Sequence, residues 1–210
     1  LLKECHVAVF GVGGVGSFAA EALARAGVGA ITLVDHDTVS LTNLNRQLVA
    51  LRSTLGMRKT DVMAARIRDI NPDCRVTVLP VFYEPETREE FFSLGFDYIA
   101  DCIDSTRSKL DLIETAITRG VPIISSMGTG NRLDPSKFRI TDLSKTSGCP
   151  LAKVMRRELR ARGIKHHTVL ASEELPLTPR KLPGQEAERR TPPGSVSWVP
   201  PCAGMMIAGY

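Results

Sequence analysis

A glycine-rich turn near the start of the chain has the spacing of a phosphate-binding loop. Gly11, Gly13 and Gly16 satisfy the pattern G-x-G-x-x-G, and Gly14 adds a fourth glycine. Glycines permit a tight turn and close approach of a phosphate, while backbone N–H groups at a helix start favour anionic charge. Asp35 follows 19 residues after Gly16 and can accept hydrogen bonds from ribose hydroxyls. By itself this motif predicts a nucleotide site and favours a NAD-dependent dehydrogenase, with glycines that only let helix and strand pack closely as the alternative.

Polar residues further along favour a nucleoside triphosphate over a dinucleotide. They combine carboxylate, amide, guanidinium and ammonium groups: Asp37, Asn43, Asn45, Arg46, Gln47 and Lys59. A guanidinium and an ammonium beside a phosphate-binding turn suit a triphosphate, and a dehydrogenase gives no reason for them. Taken singly, Arg46 and Lys59 are more often surface residues. Together, beside a phosphate-binding glycine turn, they favour a nucleoside triphosphate as the bound nucleotide.

Two further carboxylates, Asp101 and Asp104, follow an apolar run that is typical of a buried strand. Phosphate chemistry commonly uses Mg²⁺, which takes one or two carboxylates together with phosphate oxygens. These two carboxylates are therefore candidate metal ligands. Two alternatives stay open: Asp104, Ser105 or Thr106 caps the next helix, and Asp101 accepts backbone N–H groups at the strand end.

Apolar runs alternate with amphipathic segments, so the predicted fold is α/β: a Rossmann-like, mostly parallel sheet with helices on both faces, extended at the C-terminus. Predicted strands cover residues 6–10, 30–35, 75–79, 98–102, 122–126 and 138–143. Predicted helices lie at 17–26, around 63–70, at 86–94, around 110–117, at 150–162 and at 203–210. Ligands of such sheets bind at the carboxyl ends of the strands, near the topological switch point. The loops after strands should therefore carry the site.

The whole chain, residues 1–210, is predicted to form a single domain. Between residues 172 and 197 the alternation stops, and five prolines interrupt a charged stretch. A long loop without periodicity is typical of a lid or a disordered segment. We therefore expect a mobile loop there.

Composition narrows the class of protein. With 43% hydrophobic residues and 24% charged residues, the chain can bury a core, and it has no apolar run of the length of about 18 to 20 residues that a membrane-spanning helix needs. Its five cysteines never form a CxxC pair. We expect a soluble, cytoplasmic protein without zinc, in which Cys149 is a buried or incidental thiol.

Positive charge is concentrated toward the C-terminus. The first 150 residues hold 17 Lys or Arg against 18 Asp or Glu, and the last 60 hold 10 against 5. On the predicted helix 150–162, one face carries Leu151, Met155 and Leu159, and the other carries Lys153, Arg156, Arg157 and Arg160. This basic face is a candidate RNA-binding surface. An ordinary solvated face is the alternative.

The ordered motifs resemble a known superfamily. The first part of the chain resembles the adenylating domain of ubiquitin-activating enzymes and bacterial sulfur-carrier adenylyltransferases. The resemblance is carried by GVGGVG (11–16), LVDHD (33–37), NLNRQ (43–47), Lys59 and DCID (101–104). Within that superfamily, the chain is similar to the tRNA threonylcarbamoyladenosine dehydratase branch. The similar segments are residues 70–72, 128–130, 134–135, 142–146 and 150–152. The resemblance covers residues 5–163 and 194–208.

The resemblance implies an ATP-dependent enzyme that activates the carboxylate of a threonylcarbamoyl group on tRNA and lets the substituent close into a ring. It implies that Gly13 and Gly14 lie against phosphates, that Asp35 holds the ribose and that Asn43, Arg46 and Lys59 contact the triphosphate. It also implies that Asp104 binds Mg²⁺, with Arg46, Lys59 and Asp104 as the catalytic set. Expected partners are tRNA, a second copy of the chain in a homodimer, and sulfur-transfer proteins. The alternative function is adenylation of the C-terminal glycine of a ubiquitin-like sulfur carrier.

Overall fold

A computed structural model describes residues 1–178 and 194–210. Its strands are β1 (His6–Phe10), β2 (Ala30–Val34), β3 (Arg75–Leu79), β4 (Tyr98–Asp101), β5 (Ile123–Ser126), β6 (Phe138–Asp142) and β7 (Thr168–Ser172). Its α-helices are α1 (Gly16–Arg25), α2 (Lys59–Ile70), α3 (Arg88–Phe92), α4 (Thr106–Thr118), α5 (Pro150–Ala161) and α6 (Val199–Gly209). Short 3₁₀ turns cover Leu2–Glu4, Leu41–Asn43, Arg52–Thr54, Pro85–Thr87, Pro135–Lys137 and Leu143–Lys145.

The strands form one sheet in the order β3-β2-β1-β4-β5-β7-β6. All neighbouring strands are parallel except the edge pair β6 and β7. The chain runs outward from β1 through β2 to β3 and then returns to place β4 on the other side of β1. The topological switch point therefore lies between β1 and β4, and their carboxyl ends open a crevice for a ligand.

Helices cover both faces of this sheet, which confirms the predicted fold class. Helices α1, α2 and α6 pack on one face around Ala19, Met63 and Val199. Helices α3, α4 and α5 pack on the other face, where the core contains Phe91 and Met155. Each helix buries one apolar stripe against a sheet that is itself apolar on both faces, as expected for parallel strands.

The C-terminal helix packs closely on the first helix. A side chain at Gly204 would place its Cβ 2.3 Å from the carbonyl oxygen of Val15 and 2.9 Å from the Cβ of Phe18. Glycine is therefore required where α6 crosses the start of α1. This crossing brings the beginning of α6 beside the glycine turn.

Three predicted features differ in the structure. Strand β7 was missed, because a five-residue apolar run has no periodicity that distinguishes it from other buried segments. The helix predicted at 86–94 is a 3₁₀ turn followed by the short helix α3. Of the predicted mobile loop 172–197, Ser172 belongs to β7, residues 173–178 and 194–197 contain neither helix nor strand, and residues 179–193 lie outside the described residues.

No helix within the two described ranges combines the length and the apolar character that crossing a bilayer requires.

Candidate active site

A cavity of about 650 Å³ opens at the carboxyl ends of β1, β2, β4 and β5. It gathers ten of the eleven predicted nucleotide-binding residues: Gly11, Gly13, Gly14, Asp35, Asp37, Asn43, Arg46, Gln47, Lys59 and Asp104. The remaining one, Gly16, does not line it. Residues separated by up to 93 positions in the chain thus share one site.

The four glycines of the turn differ in what requires them. Gly11 has a φ of +87°, and a Cβ there would lie 2.7 Å from the carbonyl oxygen of Cys102. A Cβ on Gly16 would lie 1.8 Å from the oxygen of Gly11, so these two glycines allow the turn itself to form. Around Gly13 the nearest atom to a built Cβ is the side-chain nitrogen of Gln47, at 3.7 Å. Gly13 is therefore the position with the most open approach for a ligand.

The start of α1 offers unused backbone donors. The N–H groups of Gly13, Gly14 and Val15 donate to no acceptor in the part of the chain that the structure describes. Ser17 closes the first turn by donating from its N and its Oγ to the oxygen of Gly13, at 3.1 and 2.6 Å. Free N–H groups at a helix N-terminus form an anion site, and here they border the cavity.

Asp35 holds the glycine turn in place. Its Oδ2 accepts from the N–H of Val12 at 2.7 Å, and its Oδ1 accepts from the N–H of Asp37 at 2.9 Å. A carboxylate can accept about four hydrogen bonds, so capacity remains for ribose hydroxyls. Asp35 thus combines a structural contact with a position on the cavity wall.

Lys59, the first residue of α2, is 5% exposed, and its Nζ lies 2.6 Å from Oδ2 of Asp37. Its backbone N–H also donates to the oxygen of Asp37, at 3.1 Å. Burial is the largest single influence on Asp37 and opposes its ionisation, but the hydrogen bond from Lys59 together with the charges of Lys59 and His36 outweighs it, and the pKa of Asp37 lies below its usual value. The pair anchors the start of α2 and keeps a cation at the cavity edge.

The amide and guanidinium groups of residues 43–47 hold one another as well as lining the cavity. Oδ1 of Asn43 accepts from the N–H of Ser40 at 3.1 Å. Nη1 of Arg46 donates to Oδ1 of Asn45 at 2.9 Å, which aligns the guanidinium along the loop. Gln47 is buried, and its Oε1 has no hydrogen-bond partner among the described residues. A buried acceptor left without a partner is costly, so a ligand donor would relieve it.

The structure separates the two carboxylates that follow β4. Asp104 is exposed, lines the cavity, and makes no hydrogen bond or ion pair with any side chain or backbone group described. Ser105 is the N-cap of α4 and accepts from the N–H of Ser108 at 3.5 Å, so capping falls to Ser105 and not to Asp104. Asp101 is 0% exposed, accepts from the N–H of Ile103 at 3.1 Å, and pairs with Lys109 at 2.7 Å. Asp101 therefore belongs to the core.

Asp104 is the carboxylate best suited to a metal. A second acidic group, Asp35 with His36 and Asp37, places one ligand atom of each residue within 4.8 Å of the others. Each carboxylate of this group already has protein partners, because Asp35 accepts two backbone N–H groups and Asp37 pairs with Lys59. The carboxylate of Asp104 has none among the described residues, so both of its oxygens are open to a cation in the cavity.

The thiols near the cavity are not set up as nucleophiles. Burial, followed by the negative charge of Asp101, raises the pKa of Cys102 to about 12. Cys149 lies just before α5, is 4% exposed and also lines the cavity. The buried His167 contacts the Oγ of Ser125 at 2.8 Å and not a thiol. Burial lowers the pKa of His167 to about 4, so it is neutral at physiological pH.

The predicted RNA-binding residues divide into two groups. Lys153, Arg157 and Arg160 are exposed on α5, and Arg157 pairs with Glu158 at 2.6 Å. Arg156 is half-buried, and its Nη1 donates to the oxygen and the Oγ1 of Thr146, at 2.8 and 2.6 Å. Arg156 therefore stabilises the loop before α5 by hydrogen bonding to Thr146. Pro150 and Leu151 at the start of α5 line the cavity, whereas the exposed cations of α5 do not.

Sequence reasoning missed the wall formed by the loop after β5. Residues 126–132 line the cavity, and Arg132 is the charged member. The glycines at 128 and 130 directly after a predicted strand were an available signal, since loops after parallel strands share one edge of the sheet. Arg132 itself belongs to no recognisable motif, so its place on the cavity wall could not be predicted from the sequence.

Comparisons with known proteins agree with this geometry. The tRNA threonylcarbamoyladenosine dehydratase of Bacillus subtilis (strain 168) is 50% identical over 100% of this chain and 86% of that protein. The protein of the same name from Escherichia coli (strain K12) is 48% identical over 77% of this chain and 60% of its own length. The crystal structure of the E. coli enzyme TcdA in complex with ATP superposes with a TM-score of 0.88 at 39% identity, covering 99% of this chain and 84% of that one. The model of the ThiF family matches residues 1–208, and the chain therefore belongs to the ThiF family.

Proposed function

We propose that this chain is an ATP-dependent tRNA-modifying enzyme that cyclises threonylcarbamoyladenosine beside the anticodon, with loss of water. The observation that carries the proposal is the gathering of the glycine turn, Arg46, Lys59 and Asp104 around one cavity. The 50% identity to a tRNA threonylcarbamoyladenosine dehydratase supports the substrate, and the ATP complex of the E. coli enzyme supports the nucleotide. Residues 1–210 would form one ATP-binding adenylating domain.

The proposed chemistry begins with activation of a carboxylate. A carboxylate is a poor electrophile, because its oxygen is a poor leaving group. Transfer of an adenylyl group from ATP to that oxygen releases pyrophosphate, and transfer of a phosphoryl group releases ADP. An atom of the same substituent then attacks the carbonyl carbon, and AMP or phosphate leaves with the former carboxylate oxygen. The attack is intramolecular and benefits from a high effective molarity, so no enzyme nucleophile is needed. The protonated Cys102 thiol is consistent with this route.

Charge stabilisation is the main task of the protein groups. The free N–H groups at the start of α1 would bind phosphate oxygens, and Arg46 and Lys59 would offset the negative charge that develops on the leaving phosphates. Asp35 would hold the ribose, with Asp37, Asn43 and Gln47 completing the nucleotide contacts. Asp104 would hold Mg²⁺, which supplies positive charge beside the reacting phosphate when bound.

The first test is direct. Incubation of the protein with ATP, Mg²⁺ and tRNA that carries threonylcarbamoyladenosine is expected to yield the cyclic nucleoside, one water lighter by mass spectrometry. Calorimetry is expected to show much weaker binding of NAD than of ATP with Mg²⁺, because residues 43–47 supply phosphate contacts that a dinucleotide does not need. Equal affinities would contradict the assignment of the nucleotide.

The alternative function has its own signature. A sulfur-carrier adenylyltransferase would exchange pyrophosphate into ATP when a ubiquitin-like protein with a Gly-Gly tail is added, and modified tRNA would not stimulate that exchange. Stimulation by tRNA and not by the carrier favours the dehydratase.

We further propose a cytoplasmic homodimer that works with sulfur-transfer proteins. Large apolar side chains exposed on one segment support the dimer: Leu41, Leu51, Leu55 and Met57 are 63%, 56%, 39% and 48% exposed. Exposed apolar side chains this close in sequence are typical of a surface that another chain covers. Sedimentation equilibrium measures the mass of the protein in solution, and a mass twice that of one chain is the expected result for the dimer.

The exposed cations of α5 are the proposed tRNA contacts. Replacing Lys153 and Arg160 with alanine should weaken tRNA binding and lower the slope of log K against log salt by about one unit per lost contact. ATP affinity should not change. Arg156 is left intact, because its loss would disturb the loop at Thr146.

The matched control removes two exposed arginines at the opposite edge of the sheet, Arg68 and Arg75. It lowers the net charge by the same amount without altering α5. If both double variants lose affinity equally, the effect is one of total charge, and α5 is not the RNA surface.

A further inference from the structure

Arg132 is a buried cation without a counter-ion in the described ranges. Only 2% of the residue is exposed, and its Nε donates to the carbonyl oxygen of Gly128 at 3.1 Å. Among the described residues, its buried Nη1 has no hydrogen-bond partner, and no carboxylate lies within ion-pair distance. Burial of an unpaired charge is strongly unfavourable, so a bound anion would stabilise this guanidinium.

The position of Arg132 indicates which anion. Along the sheet, Asp35 follows β2, the glycine turn follows β1, Asp104 follows β4 and the loop that carries Arg132 follows β5. All of these groups line the same cavity. The proposed partners of the ribose and phosphates lie at the β2 and β1 end, and Arg132 lies at the other end, beyond Asp104, the proposed metal ligand. An anion bound at Arg132 would therefore belong to the substrate that reacts with the nucleotide, and not to the phosphates of the nucleotide itself.

The loop that carries Arg132 is held rigidly. Asn131 has a φ of 58°, a conformation that asparagine tolerates better than most residues. It exchanges two hydrogen bonds of 2.7 Å with Gly194, its N–H donating to the oxygen and its Oδ1 accepting from the N–H. The next residue after Arg132, Leu133, accepts from Nε1 of Trp198 at 2.8 Å and donates to Glu174 at 3.0 Å. The guanidinium is thus pre-positioned and loses little freedom when an anion binds.

We propose that Arg132 binds the carboxylate of the threonylcarbamoyl substituent, and this inference rests on the proposed function. A guanidinium is charged at every physiological pH and suits carboxylate oxygens geometrically. Bound there, the carboxylate is neutralised as it nears the negative triphosphate, and one of its oxygens is directed at the reacting phosphate. Arg132 is therefore the residue that selects a substituent with a free carboxylate.

The test compares two anticodon stem-loop RNAs, one carrying threonylcarbamoyladenosine and one carrying its carboxamide analogue. Wild-type protein is expected to bind the carboxylate RNA at least about tenfold more tightly than the carboxamide RNA, a typical gain for a charge-assisted contact. In Arg132→Gln this ratio should fall to near one, because only the carboxylate complex loses its partner. Arg132→Lys should keep part of the ratio, since it retains the charge without the planar fork.

Two further measurements isolate the effect. The Kd for ATP should stay within about twofold in Arg132→Gln, whereas a residue that binds nucleotide phosphate would raise it by about tenfold or more. Lys137→Gln is the matched control, because it removes an exposed cation five positions away that does not line the cavity. If Arg132→Gln fails to fold, Arg132→Lys carries the comparison.

An unchanged preference for the carboxylate RNA in the folded variants would overturn the inference, and so would a large loss of ATP affinity with the preference retained. If the wild-type protein forms the cyclic nucleoside and Arg132→Gln keeps its selectivity, only the inference about Arg132 fails. If wild-type protein with ATP and Mg²⁺ forms no cyclic nucleoside, the proposed function fails, and the inference fails with it.

Discussion

Replacing Asp104 with alanine is expected to lower kcat for cyclisation by about a thousandfold or more, since a metal or charged group at the reacting phosphate contributes several kcal/mol. The exposed Asp104 carboxylate lines the cavity and has no partner among the described residues, so its removal costs no protein contact. The free energy of unfolding should change by less than about 0.5 kcal/mol. Single-turnover assays with modified tRNA, alongside thermal denaturation, measure both quantities.

Two further variants test whether the loss of activity comes from the Asp104 carboxylate itself. Asp104→Asn keeps the size of the side chain but weakens a metal ligand, so it should be nearly as inactive as the alanine variant. Asp73→Ala removes an equally exposed carboxylate at the opposite edge of the sheet and should leave kcat unchanged. Activity close to wild type in Asp104→Ala would show that the carboxylate does not act on the phosphates.

The second large effect is expected on stability. Lys109→Met should lower the free energy of unfolding by about 3 to 5 kcal/mol, because it leaves the Asp101 carboxylate uncompensated in the core. Both side chains are 0% exposed and lie 2.7 Å apart. For a chain of this size the loss corresponds to a melting temperature lower by about 10 °C.

The control for stability changes a lysine on the surface. Lys165→Met alters the exposed Lys165 and should shift the free energy of unfolding by no more than about 0.5 kcal/mol. In the double variant Asp101→Asn with Lys109→Met, the charge is gone while an amide oxygen can still accept from Ile103, so most of the stability should return. Equal melting temperatures for Lys109→Met and Lys165→Met would mean that Asp101 does not depend on the ion pair.

The nucleotide half of the site could be predicted because it is encoded locally. A strand, a glycine turn and a helix that follow one another in the chain form a βαβ unit whose geometry depends mainly on neighbouring residues. Gly13, Asp35 and Lys59 consequently line the cavity as expected, and the α/β fold follows from the same alternation. Their roles toward ATP stay predictions.

Other features depend on contacts between distant segments. Spacing alone put Asp101 and Asp104 at one strand end, and tertiary packing decided that Asp101 turns into the core toward Lys109 while Asp104 faces the cavity. The amphipathic pattern of α5 placed Arg156 on the basic face. The folded structure shows that Arg156 donates a hydrogen bond to Thr146 and so stabilises the loop before α5.

The fold class, the glycine turn and the carboxylate and cationic residues that border it could be predicted from sequence patterns, because each depends on neighbours within a few turns or strands. Two features became visible only in the folded chain: β7 enters the sheet between β5 and β6, and a loop held by Gly194 and Trp198 buries Arg132 against the cavity without a counter-ion among the described residues. The physical reason is that burial and pairing of a side chain depend on which distant segments pack against it, and no local pattern records that choice.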